Sequence, residues 1–195
     1  MPRRRTFLAS SLALGLLPVL AAAAAADERI GRVERYLNGI ETLRAGFTQI
    51  APDGALATGR LYLHRPGRMR FEYDPPEHLL MVATDWRVVM QDTRTLQTNT
   101  VPVSRTPLAP LLEETVRLSD AVTVRDVGKV NDELYLTLYK TDEPGLGELE
   151  LVFGQRPIEL RRWRVLDAQG KITQILLEDL ETNVRLERDL FTLLQ

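Results

Sequence analysis

Apolar residues recur along this chain with two different periods, and the change of period divides it. Between residues 30 and 43, Ile30, Val33, Tyr36, Leu37, Ile40 and Leu43 fall three or four positions apart. Arg29, Arg32, Glu34, Arg35 and Glu41 take the intervening places. That spacing predicts an amphipathic helix, with Asp27 placed to cap it. Gly31 and Gly39 each weaken the helix, as suits an element that leans on a partner surface and leaves it.

From Ala45 onward the period is two. A hairpin is expected around Pro52-Asp53-Gly54, then a strand from Leu56 to Arg65, a turn at Pro66-Gly67 and a strand from Arg68 to Tyr73. Leu61 and Leu63 share one face, as do Met69, Phe71 and Tyr73, whereas Arg60, Tyr62, His64, Arg70 and Glu72 take the other. Such alternation marks an antiparallel sheet with one wet face. Further strands are predicted at about residues 78–83, 87–91 and 95–100. Thr106-Pro107 then opens a short helix carrying Leu108, Leu111 and Leu112. The second half is again β-rich, at 122–127, 134–140, 147–153, 158–166, 172–178 and 180–186. Parity slips between Leu160 and Trp163 and between Ile172 and Ile175, which predicts bulges or bends. The fold class is therefore mainly β: about eleven short antiparallel strands curling into a barrel or half-barrel, its apolar concave face covered by the two helical segments.

The N-terminus has a different character. Arg3, Arg4 and Arg5 precede an apolar run from Phe7 to Leu20, then six alanines and Asp27. That is the order of a cleavable export signal spanning residues 1–26. Its apolar run, broken by Gly15 and Pro18, is short for a membrane span. Arg4-Arg5-Thr6-Phe7-Leu8 also matches the core of a twin-arginine signal, so both the general secretory and twin-arginine routes stay open. Residues 27–195 are read as one domain. Of 25 basic residues, three lie in the signal. Against 27 acidic ones, the remainder carries a net charge of −5, which argues against a nucleic-acid or anionic-membrane surface, and no later segment is long and apolar enough to span a bilayer, so no stable membrane insertion is expected. No cysteine is present, so neither disulfides nor thiolate metal sites are expected.

A search for catalytic chemistry finds little. After the signal there are two serines, Ser104 and Ser119, and two histidines, His64 and His78, none in a nucleophile motif or metal-ligand spacing. Gly128-Lys129 and Gly170-Lys171 lack the rest of a phosphate loop and read as hairpin turns. Glu113-Glu114 reads as a solvated helix face. The expectation is a non-enzyme with no metal and no cofactor. Arg65 shares the parity of Leu61 and Leu63, which leaves two readings open. It points into the apolar face and needs partners there, or Pro66 ends the strand and the guanidinium reaches water.

Four stretches in order, LNGIETLRAGFTQ (37–49), GRLYLHRPGRMRFEYDPP (59–76), TPLAPLL (106–112) and DAQGKIT (167–173), closely resemble the LolA family of outer-membrane lipoprotein carriers. The resemblance implies an incomplete antiparallel β-barrel closed by a helical lid. It also implies a monomeric periplasmic chaperone whose cargo is acylated lipoproteins. Its partners would be an inner-membrane lipoprotein-releasing ABC transporter and an outer-membrane lipoprotein receptor. Arg65 and Pro66 match the family's Arg-Pro motif, whose arginine holds the lid, so an inward Arg65 is implied. The acyl-chain cavity would be lined by Phe47, Leu61, Leu63, Met69, Phe71, Tyr73, Leu80 and Val82 from the strands, and by Leu108, Leu111 and Leu112 from the lid. The family's receptor is anchored through an acylated cysteine, and a sequence without cysteine fits the carrier. A carrier of free lipids or glycolipids and a lipoprotein-sensing regulatory module are the competing readings.

Overall fold

The computed structural model describes the backbone of residues 17–194, and side chains from residue 24 onward. The arginines of the export signal and most of its apolar run lie outside the described residues. A helix, α1 (Leu17–Asn38), leads into eleven strands. Alanine is the strongest helix former, so the alanine tract carries the helix back past Asp27. Asp27 is thus inside the helix and caps nothing, a correction to the expected start. The end is also earlier than the periodicity predicts. Gly39 donates to the carbonyls of Arg35 and Tyr36, and Leu43 belongs to the first strand.

The strands are β1 (Thr42–Ile50), β2 (Leu56–His64), β3 (Arg68–Tyr73), β4 (Leu79–Thr84), β5 (Arg87–Asp92) and β6 (Thr98–Pro102), followed by β7 (Val122–Val130), β8 (Glu133–Lys140), β9 (Gly147–Gln155), β10 (Ile158–Asp167) and β11 (Ile172–Thr182). They form one antiparallel sheet in the order β6-β5-β4-β3-β2-β1-β11-β10-β9-β8-β7. Pairing of β1 with β11 joins two meanders, and β6 and β7 remain unpaired edges, so the barrel is open. Bulges at Arg44/Gly46, Val124/Asp126 and Leu160/Arg162 add local twist and bend. The slip between Leu160 and Trp163 is thus a bulge. At Ile172 the β10–β11 register is regular and the side chain simply faces out, 41% exposed. In place of the two strands expected at 172–178 and 180–186 there is one, β11, which ends at Thr182. Gly170-Lys171 lies in a hairpin turn as expected, but Gly128-Lys129 lies within β7, where the Tyr135 ring covers Gly128.

The backbones approach closely where β1, β2 and β3 meet. Phe47 stacks edge-to-face on Phe71 and Tyr73, with ring centroids 5.2 and 5.1 Å away. Its ring lies over Gly59, where a Cβ would sit 2.0 Å from the Glu72 carbonyl oxygen. Only glycine fits there.

The segment between β6 and β7 is not the Thr106-capped helix that the sequence suggests. It holds two single turns of 3-10 helix, Val103–Arg105 and Ala109–Leu112. The Thr106 hydroxyl donates back to the Val103 carbonyl and so caps no following turn. Beyond Leu112 the chain is irregular, although Val116 and Leu118 are buried.

Candidate functional site

The sheet has two unlike faces, and the concave one is apolar. It contributes Phe47, Leu61, Leu63, Met69 and Phe71 from the first meander, and Leu134, Leu136, Leu138, Leu149, Leu151, Phe153, Leu160, Trp163 and Ile175 from the second. Two pieces of chain cover it. Helix α1 packs against β7 and β10, with Val33 and Leu37 buried, and Tyr36 sets its ring edge-on to Phe153 of β9. Leu108, Leu111 and Leu112 close the face over β2–β5.

Under this cover two voids remain. One, about 30 Å³, lies among Leu37, Ile40, Leu61, Leu63, Arg65, Met69, Leu108, Leu111, Leu160 and Trp163. The other, about 60 Å³, lies among Met69, Phe71, Met81, Ala83, Val88, Thr106, Leu108 and Leu112. Each is room for a water or two, far below the several hundred Å³ of an ordinary ligand pocket. This is a closed state: an apolar guest of any length enters only by displacing the cover. A wider surface cleft of about 720 Å³ lies at the open seam between β6 and β7, bordered by Trp86, Val103, Pro110, Glu114, Val122 and Lys140. Lys140 spans that seam by donating to the Ser104 carbonyl at 3.2 Å.

The cover is held at the Arg65-Pro66-Gly67 turn. Arg65 is 7% exposed and its Nη2 donates to the Leu37 carbonyl near the end of α1. Its side chain therefore points inward, as the resemblance implies. Nε has no partner among the described residues, and burial draws the guanidinium's pKa down. Pro66 is exposed, in a cis peptide with Arg65. The Gly67 N–H donates to the Leu112 carbonyl at 2.8 Å, so one turn touches both pieces of the cover. Tyr36 accepts from the Leu160 N–H at 3.0 Å, a donor beside the β10 bulge. Asn183 holds the connection into β1, donating to the Gly39 carbonyl and accepting from the Glu41 N–H, each at 2.9 Å.

Of the residues expected to line a cavity, Phe47, Leu61, Leu63, Met69, Phe71, Tyr73, Leu108, Leu111 and Leu112 all pack into the concave cluster. The Tyr73 hydroxyl donates to Gln49 at 2.8 Å, and burial pushes its pKa up to about 12. Leu80 and Val82 do not belong there. They pack on the convex face with Tyr62 of β2 and with Leu186, Leu190, Phe191 and Leu193 of a C-terminal strap. In β4 both faces are apolar. Met81 and Ala83, paired with Phe71 and Met69, take the concave side, so Leu80 and Val82 must take the other. Arg70 and Gln91, buried on that convex face, hold the strap: Arg70 donates to Thr192 O at 2.7 Å, and Gln91 exchanges two bonds with Leu194. His64 lies there too, against Phe191. Trp163, Met81 and Val88 line the voids but were not foreseen. Alternation in β5 was the available signal for Val88, and the bulge hid Trp163.

Among the described residues no group of three or more metal-ligating side chains is present, and no helix is long and apolar enough to cross a membrane. What the fold and site define is a binding protein: an open antiparallel half-barrel with a covered apolar face. The family described as "Outer membrane lipoprotein carrier protein LolA" matches residues 38–194, and the chain belongs to that family. A Pseudomonas aeruginosa outer-membrane lipoprotein carrier protein is 29% identical over 96% of this chain and 92% of its own. One from Methylococcus capsulatus is 28% identical over 82% and 80%. Among solved structures, an uncharacterised conserved protein of Thermus thermophilus shares the fold with a TM-score of 0.51 and 16% identity, covering 86% of this chain and 92% of its own. A DUF1329 family protein of Desulfovibrio piger reaches 0.53 at 10% identity, over 87% and 96%.

Proposed function

We propose that the protein carries acylated lipoproteins through the periplasm, receiving them from an inner-membrane ABC transporter and passing them to an outer-membrane receptor. The observation that carries this reading is the continuous apolar concave face, closed to two small voids by a cover tied down through a few polar contacts. Each acyl methylene withdrawn from water is worth roughly 0.8 kcal/mol, so unshielded chains cost tens of kcal/mol by order of magnitude. A face that exchanges its own leucines for a guest's methylenes offsets that cost without chemistry. The sequence offers no phosphate loop, so loading draws its energy from the transporter and release runs downhill to the receptor. The protein works as a monomer after losing residues 1–26, by the general secretory or the twin-arginine route.

Phe47, Leu61, Leu63, Met69, Phe71 and Tyr73 form the floor for the chains, and Leu108, Leu111 and Leu112 are displaced by them. Arg65 is the gate. With Arg65→Leu the cover loses its tie and the cavity gains an apolar side chain, so cargo is taken up but released poorly. Transfer of a triacylated lipoprotein to receptor-bearing outer-membrane vesicles measures this, and normal delivery by the variant counts against the role. The reading as a whole is tested by mass spectrometry of what co-purifies from periplasm. Acylated proteins support it; free lipids alone favour a lipid carrier on the same fold.

A further inference from the structure

The Arg65 side chain reaches α1 and the Gly67 N–H reaches Leu112, while both voids lie partly beneath Leu108 and the 3-10 turn Ala109–Leu112. The segment after Leu112 has a tie of its own, to the helix. At the end of α1, Asn38 pairs with the peptide unit of Val116: Nδ2 donates to its carbonyl at 2.9 Å, and Oδ1 accepts from its N–H at 2.8 Å. One turn earlier, Glu34 accepts from the Leu118 N–H at 2.6 Å. Spacing of four places both side chains on one helix face, and spacing of two presents both N–H groups on one side of an extended segment. Between them Val116 and Leu118 turn their side chains into the core, 1% and 4% exposed. Among the described residues no backbone hydrogen bond ties residues 113–119 to the sheet.

We propose that Glu34 and Asn38 are positioning residues that couple α1 to residues 113–119, so that the helix and the segment continuing the 3-10 piece of the cover leave the concave face as one body. Release of Leu37 by Arg65 then loosens residues 113–119 as well, leaving the Leu108–Leu112 stretch over the voids held by the Gly67 N–H. The role in cargo uptake rests on the carrier reading above; the coupling itself does not. It also gives Asn38 a function at the rim, where a helix end would otherwise be finished by water.

The first test needs no ligand. Native-state hydrogen exchange of the unaltered protein in rising denaturant is expected to show Val116 and Leu118 amides opening together with those of Leu37 and Asn38, with one denaturant slope. Opening of 113–119 while α1 stays protected overturns the coupling. In Asn38→Ala, exchange at Val116 and Leu118 is expected to quicken at least tenfold while Leu136 and Leu151 keep their protection. Protection unchanged at Val116 in that variant also overturns it.

The second test uses the absence of cysteine to place spin labels. Arg35→Cys on the helix, Arg117→Cys on the segment and Arg60→Cys on the convex face give three distances. On addition of a synthetic triacylated cysteinyl peptide, both distances to residue 60 are expected to shift while the 35–117 distance holds. A changed 35–117 distance on loading overturns the proposal. Coupled exchange with no distance shift by the peptide sustains the coupling and overturns the carrier reading.

Discussion

Over β7–β10 the concave face is sealed by leucines. Leu134, Leu136, Leu138, Leu149 and Leu151 are each 1% exposed or less beside α1. Over β2–β5 the same face carries Met69, Phe71, Met81, Ala83 and Val88, and both voids adjoin it. The convex faces differ in the opposite sense. Behind β2–β5 a C-terminal strap buries Leu80 and Val82, whereas β7–β10 present ion pairs, Arg125–Glu148, Arg162–Glu133 and Arg164–Glu150, with a shallow charged hollow among them. One half-sheet is therefore a fixed wall with a wet back. The other is supported from behind and loosely filled in front, where methionine and a small alanine leave a surface that repacks easily. The proposed carrier function assigns uptake of a guest to that second half.

The largest effect is expected from the wall. Leu151→Ala should cost about 3–4 kcal/mol, since close-packed neighbours cannot collapse into the space. A urea midpoint gives the value, and a cost below about 1 kcal/mol would remove the claim that this half is rigidly packed. Next comes the strap. Leu80→Ala should cost about 2–3 kcal/mol and speed exchange across residues 186–193. Uptake of a fluorescent acylated peptide should be unchanged; reduced uptake would return Leu80 to the cavity. Smaller still is a pair of enlargements. Ala83→Val, which adds methyl groups beside the 60 Å³ void, should change stability by less than about 1 kcal/mol and weaken uptake. Leu136→Phe in the wall should cost about 1–3 kcal/mol with uptake retained. Equal costs would mean that the two halves do not differ in packing.

How much of this was legible in the sequence follows from what covers each element. β3 was read at its observed bounds, because Arg70 and Glu72 alternate with Met69, Phe71 and Tyr73. Parity left Arg65 open between the apolar face and water, and the Arg-Pro resemblance is what turned it inward. β4 is apolar on both faces, so alternation carried no information there, and the strap that explains it has no periodicity of its own. Leu43 continued the helical spacing because β1 turns it into the same core that Val33 and Leu37 enter. The pairing of Asn38 with Val116 joins residues 78 apart in the chain, and no local pattern announces it.

The two convex faces also differ in their response to acid, and this is the subtlest contrast. Behind β2, His64 lies against Phe191 with its Nδ1 buried and unpartnered. Burial, with Arg68 and then Arg188 nearby and only Glu41 opposing, holds its pKa below the ordinary 6.5. The folded protein therefore binds this proton less readily than the unfolded chain. The stability it contributes is present above pH 6.5 and is lost as pH falls through the lower folded value. Behind β8, Arg162 grips Glu133 with bonds of 2.7 and 2.6 Å and holds its carboxyl below the ordinary 4.5. That contribution is present above pH 4.5 and fades only below it. Between pH 7.5 and 5.5 the strap should loosen while the Arg162–Glu133 pair stands. Exchange at residues 186–193 should quicken relative to 133–140, and His64→Gln should flatten the difference. If both regions respond alike, or if the variant keeps the wild-type profile, His64 does not set the strap's pH dependence.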